Sequence, residues 1–108
     1  MIHELRIYRI MPGRLPAILK RFEERTLTIF ERFGIRQVGF WTTLVGPSHL
    51  DLIYLLEWES MAERERKWGA FAVDPEWLAA LAESERDGVI VAQAENRLLK
   101  PTSFSALQ

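Results

Sequence analysis

The sequence predicts an α+β fold, and three observations carry that prediction. Apolar residues alternate at both ends of the chain and in its middle, recur every three or four residues between those stretches, and are separated by Gly, Pro, Asp and Ser breakers. The resulting order is strand, helix, hairpin, helix, short helix, strand. Two right-handed crossovers then give a four-stranded antiparallel sheet in the ferredoxin-like arrangement, with helices on one face.

Ile2 to Ile10 is the first strand, with Leu5, Ile7 and Arg9 on one side and Glu4, Arg6, Tyr8 and Ile10 on the other. Met11-Pro12-Gly13 breaks it. Leu15, Ile18, Leu19, Phe22, Thr26, Ile29, Phe30 and Phe33 then mark one long helix of roughly five turns, with Pro16 tolerated near its start and Gly34 as its stop. Ile35 to Val45 and Leu52 to Trp58 read as an antiparallel hairpin around the Gly46-Pro47-Ser48-His49 turn. Ser60-Met61-Ala62-Glu63 has capping-box spacing and opens a helix reaching about Ala72. Asp74-Pro75-Glu76 starts the shorter helix, Asp87-Gly88 ends it, and Val89 to Leu99 supplies the last strand before Pro101.

In the third strand Leu52, Tyr54, Leu56 and Trp58 share one face while Ile53, Leu55 and Glu57 share the other, so both faces are largely apolar. Helices cover only one. The expectation is that Tyr8, Trp41, Tyr54, Leu56 and Trp58 lie on the open side, covered by a second copy, and that the two sheets enclose a cavity where they diverge.

Composition narrows the partners. The 108 residues are 48% apolar and 27% charged with a net charge of -1, which describes one folded domain over residues 1–108 without the basic excess of a nucleic-acid or acidic-membrane binder. With no cysteine there is no disulfide framework or thiolate chemistry. No apolar run approaches a membrane span, and MIHELRIYRI alternates where a signal peptide would be continuous, so the expected location is the cytoplasm.

Glu4, Arg6 and Tyr8 place a carboxylate, a guanidinium and a phenol along one strand face, and Tyr54 and Trp58 would join them as cavity wall. The set can orient a carbonyl-bearing or anionic ligand, with Arg6 as clamp and Tyr8 or Glu4 exchanging protons. The plainer alternative is an Arg-Glu pair satisfied by interface burial beside packing aromatics. Trp68, Phe71 and Trp77 read as helix packing, and Arg64, Glu65 and Arg66 as a solvated network. Arg14, Lys20, Arg21 and Arg25, interrupted by glutamates, read as a solvated helix side. His3 and His49 lack ligand spacing beyond the weak pair of His49 with Asp51, so no metal or other cofactor is expected. GxGxxG, Walker and GxSxG motifs do not occur.

His3-Glu4-Leu5-Arg6-Ile7-Tyr8, Val38-Gly39-Phe40-Trp41, Gly46-Pro47, Trp58-Glu59-Ser60, Asp74-Pro75-Glu76-Trp77 and Glu95-Asn96-Arg97-Leu98-Leu99-Lys100-Pro101 occur in the order found in the NIPSNAP family, which the chain resembles over nearly its whole length. The resemblance implies a dimeric α+β barrel. Family members commonly carry His-Leu-Trp in the third strand, where this chain has Tyr54-Leu55-Leu56, so chemistry through that histidine is not implied here. The wider barrel superfamily contains cofactor-free monooxygenases, heme-degrading enzymes, isomerases and ligand-binding proteins, and fold analogy does not choose among them. The expectation is a homodimer that binds a small organic molecule. The alternatives are a non-catalytic interaction or scaffold module and a cofactor-independent monooxygenase or isomerase.

Overall fold

A computed structural model describes all 108 residues. The strands are β1 (Ile2–Ile10), β2 (Arg36–Thr42), β3 (Asp51–Trp58) and β4 (Val91–Leu99), in the spatial order β2-β3-β1-β4 with every neighbouring pair antiparallel. Non-adjacent strands are joined by helices and the β2–β3 pair by a loop, which is the ferredoxin-like arrangement expected from the residue pattern. The shortest dimension is 20 Å, the thickness of one helix layer on one sheet.

The long helix is not uniform. It comprises α1 (Leu15–Arg21), a π-helical turn (Phe22–Thr26) and α2 (Leu27–Phe33), closed by Gly34 at a left-handed φ of 70°. Within the wide turn the Leu27 amide donates to the Phe22 carbonyl, and the Thr26 hydroxyl donates to the Arg21 carbonyl at 3.3 Å. This i→i+5 turn brings Thr26 nearly into line with Arg21, whereas α-helical spacing would turn it away. Helices α3 (Met61–Ala72) and α4 (Pro75–Ser84) begin at the expected caps. Ser60 Oγ accepts from the Glu63 amide at 3.1 Å, and Asp74 accepts from the Trp77 amide at 3.0 Å.

The core lies between helices and sheet, and it corrects the face expected to be open. Ile10, Leu52, Tyr54, Leu56 and Trp58 pack against Ile18, Phe22, Ile29, Phe30 and Phe71 of the helices. Cross-strand register places Glu4 beside Leu56, Arg6 beside Tyr54 and Tyr8 beside Leu52, so the charged set lies under the helices rather than on the bare side. The outer face instead carries Leu5, Ile7, Ile53 and Leu55, with Trp41 folded over Gly39 and 51% exposed. Only Trp41 of the five residues expected on the open side lies there. With both faces apolar, burial preference did not decide between them; partners for the buried charges did, and those come from α3 and β4.

Because Ser60 satisfies an otherwise free amide at the start of α3, Ser60→Ala is expected to lower stability by about 1 kcal/mol and Ser60→Gly by only a few tenths. Urea midpoints of the two variants check this.

Candidate functional site

The site begins with a carboxylate buried in the sheet. Glu4, with no solvent exposure, accepts from Arg64 Nε at 2.8 Å and Trp58 Nε1 at 3.0 Å through Oε1. Its Oε2 accepts from Arg6 Nη1 at 2.8 Å, Asn96 Nδ2 at 2.9 Å and Arg64 Nη2 at 3.0 Å. Burial pushes its pKa up, but the hydrogen bonds from Arg64 and Asn96 and the charge of Arg6 outweigh that and hold it at about 2. Its lone pairs are engaged by four side chains, so Glu4 anchors the site and has no free oxygen with which to exchange protons.

Arg6 carries the charge of this anchor to two phenols. Its Cζ lies 4.4 Å from the centroid of the Trp68 ring, its Nε donates to Tyr54 Oη at 2.9 Å, and its Nη2 donates to Tyr8 Oη at 3.1 Å. Burial lowers the Arg6 pKa while Tyr54, Tyr8 and Glu4 raise it, with a net upward shift that keeps it cationic. Tyr8 and Tyr54 are 2.7 Å apart, oxygen to oxygen. Burial, followed by the nearby Tyr8, raises the pKa of Tyr54 well above the ordinary phenol value against the opposing pull of Arg6.

Hydrogen-bond accounting then orients the phenol pair. Tyr54 is sealed from solvent, so a Tyr54 hydrogen not given to Tyr8 would be stranded. The arrangement that strands nothing has Tyr54 donating to Tyr8, which leaves the Tyr8 hydrogen without a protein acceptor on a residue that lines the adjoining space.

That space is a cavity of about 270 Å³ within the single chain. Tyr8 and Tyr54 form part of its sheet wall with Val91 and Ala94 of β4; Arg21, Phe22, Thr26 and Phe30 come from the long helix; Trp68, Phe71 and Ala72 come from α3 and Trp77 from α4. The cavity therefore lies between sheet and helices, not between two sheets as expected. Of the five expected site residues, Tyr8 and Tyr54 line it. Glu4, Arg6 and Trp58 stand behind them as support.

Five contributors were read differently in the sequence. Arg64, taken for part of a solvated network, is the bidentate partner of Glu4. Trp68, Phe71 and Trp77, read as helix packing, also form cavity wall, as does Arg21, read as solvated. Arg21 follows Ile18 by three residues, which is the one signal that it shares the inward face. His3 is buried on the outer face with both ring nitrogens unpartnered, His49 lies in the β2–β3 loop, and Asp51 pairs with Arg9 at 2.6 Å. No three potential metal ligands among His, Asp and Glu converge.

Glu4→Gln is expected to destabilise the protein by about 3 kcal/mol at pH 7, because Arg64 and Arg6 lose their buried counter-ion. A folded pKa near 2 against an ordinary 4.5 makes the Glu4 contribution complete above pH 4.5 and progressively lost as pH falls toward 2. The gap between wild type and Glu4→Gln in urea midpoint should therefore narrow from pH 7 to pH 3.

The family model for NIPSNAP matches residues 3–106. A NIPSNAP family protein from Agrobacterium tumefaciens C58 has a solved structure 32% identical to this chain, covering 99% of this chain and 98% of its own, with a TM-score of 0.88. An uncharacterized NIPSNAP domain protein from Burkholderia xenovorans is 26% identical over 97% and 98%, with a TM-score of 0.84. An antibiotic biosynthesis monooxygenase superimposes with a TM-score of 0.61 at 10% identity over 94% of this chain and 99% of that one, which is a likeness of fold. No curated protein matches. With the match running through all four strands and all the helices, the chain belongs to the NIPSNAP family.

Proposed function

We propose that this protein binds a small, flat organic molecule of one or two rings, with an oxygen of that molecule accepting the free Tyr8 hydrogen. The observation that carries this reading is an aromatic-walled cavity lined by two phenols 2.7 Å apart, whose two protons find only one acceptor between them in the protein. Its 270 Å³ lies just under the range of about 300–1,000 Å³ for drug-sized ligands, which sets the ligand at about two fused rings. Arg6 and Tyr54 both donate to the Tyr8 oxygen, and donation into a phenol oxygen strengthens the hydrogen bond its own proton makes. Such a donor stabilises negative charge developing on a bound carbonyl or phenol oxygen, the requirement an oxygenase or isomerase reading shares with simple binding.

The proposal includes a homodimer through the outer sheet face. Leu5, Ile7, Ile53 and Leu55 form its apolar centre, and the Arg9–Asp51, Arg36–Glu57 and Arg97–Glu95 pairs border it, the pattern of an apolar interface core with a polar rim. His3 belongs to the same face and is the one residue there with unpartnered buried nitrogens.

The uncharged probe 2-acetonaphthone should quench the fluorescence of Trp68 and Trp77 on binding, and Tyr8→Phe should weaken it about tenfold. Absence of quenching, or equal affinity in Tyr8→Phe, refutes the cavity reading. Sedimentation should show a wild-type dimer that Leu55→Glu converts to a folded monomer, whereas a wild-type monomer refutes the assembly.

A further inference from the structure

The polar groups of the cavity differ in how completely the protein satisfies them. The Glu4–Arg6 anchor is closed on itself. Arg21 is not. It is 7% exposed, its Nε is buried without a hydrogen-bond partner, and its one side-chain hydrogen bond runs from Nη1 to the neutral Ser84 Oγ at 3.1 Å. No carboxylate forms an ion pair with it, although the partly buried guanidiniums of Arg6 and Arg64 share Glu4. Burial lowers its pKa, against the opposing charge of Glu85 and the two tyrosines.

A guanidinium held this deep without a counter-ion is costly, and a protein gains stability by replacing it with an apolar side chain unless something else supplies the anion. The local structure keeps it in place. The π-helical turn positions Arg21, Phe22 and Thr26 together on the cavity wall, and the guanidinium carbon sits 5.2 Å from the centroid of Trp77, another wall residue. On its far side Arg21 borders a second cleft, of about 260 Å³, between α1 and α4. There Glu24, Glu83 and Asp87 stand among Arg14, Lys20, Arg25 and Arg86, whereas the aromatic cavity contains no acidic side chain. Arg21 is therefore the one charged side chain that lines the aromatic cavity.

We infer that Arg21 is the anion receptor of the cavity and that its ligand is an aromatic or similarly flat carboxylic acid, bound as the carboxylate with its rings among Phe22, Trp68 and Trp77. The inference rests on the cavity being a binding site, as proposed above, and adds the charge of the ligand. A planar guanidinium matches a carboxylate through paired N–H donors, and the mostly apolar walls offer a flat ring its packing surface.

The test compares 2-naphthoate with the neutral 2-naphthamide at pH 7.5 by tryptophan quenching and calorimetry. Wild type should bind the acid at least tenfold more tightly than the amide. Arg21→Met should reduce that preference below threefold, and Arg21→Lys should restore part of it. Ligand-free Arg21→Met should melt at or above the wild-type temperature. Equal binding of the two probes by wild type, or a preference that survives Arg21→Met, overturns the anion assignment and leaves the cavity reading standing. Failure of both probes overturns both. A melting point lowered by about 5 °C or more in Arg21→Met, with both probes lost, marks Arg21 as structural and overturns the assignment as well.

Discussion

Burying one carboxylate in the middle of an apolar layer constrains everything around it. An ionised Glu4 without partners would be prohibitively unfavourable there, so the fold must bring donors to it from β1, β3, β4 and α3 at once. The Arg64 bond is the one that reaches across layers. It fixes the height and rotation of α3 over the sheet, and with α3 come Trp68 and Phe71. The same carboxylate holds Arg6 in a single orientation between Trp68 and the two phenols. Anchor, cavity wall and the direction of the Tyr8 hydrogen follow from this one pairing.

Several features of the chain were legible in sequence because they depend on local chemistry. Alternation marked β1 to the residue, three-to-four spacing marked the long helix, and Ser60, Asp74 and Gly34 marked helix ends through groups that act within a turn. The choice of face was not legible. Leu52, Tyr54, Leu56 and Trp58 make one apolar row and Ile53 with Leu55 another, and alternation separates two rows without saying which the helices cover. What settles it is the reach of Arg64 from sixty positions away in sequence to Glu4. Arg64 and Asn96 were invisible as site residues for the same reason, since neither has a local partner that announces it. The π-helical turn was hidden because its one-residue insertion leaves Phe22, Thr26, Ile29 and Phe30 still close to helical spacing.

The contrast between anchor and wall separates stability from recognition within one small core. At Glu4 one carboxylate answers the guanidiniums of Arg6 and Arg64, and removing it strands both. At Arg21 the protein leaves a cation with one neutral partner, and removing it relieves a cost. Unsatisfied buried groups that persist against the general pressure toward stability are the ones expected to meet something from outside.

The wall also limits what chemistry a bound molecule would meet. Its polar groups are the Tyr8, Tyr54 and Thr26 hydroxyls and the Arg21 guanidinium; Tyr54 is held protonated by burial, and Thr26 already donates to the Arg21 carbonyl. These groups give hydrogen bonds and positive charge, and Glu4, the nearest carboxylate of the anchor, has its oxygens fully engaged. A surface of this kind stabilises an anion once formed but is poorly suited to forming one by proton abstraction. Any reaction in the cavity would then draw on acidity the substrate itself brings, which accords with a ligand that enters already ionised and meets Arg21 as a carboxylate.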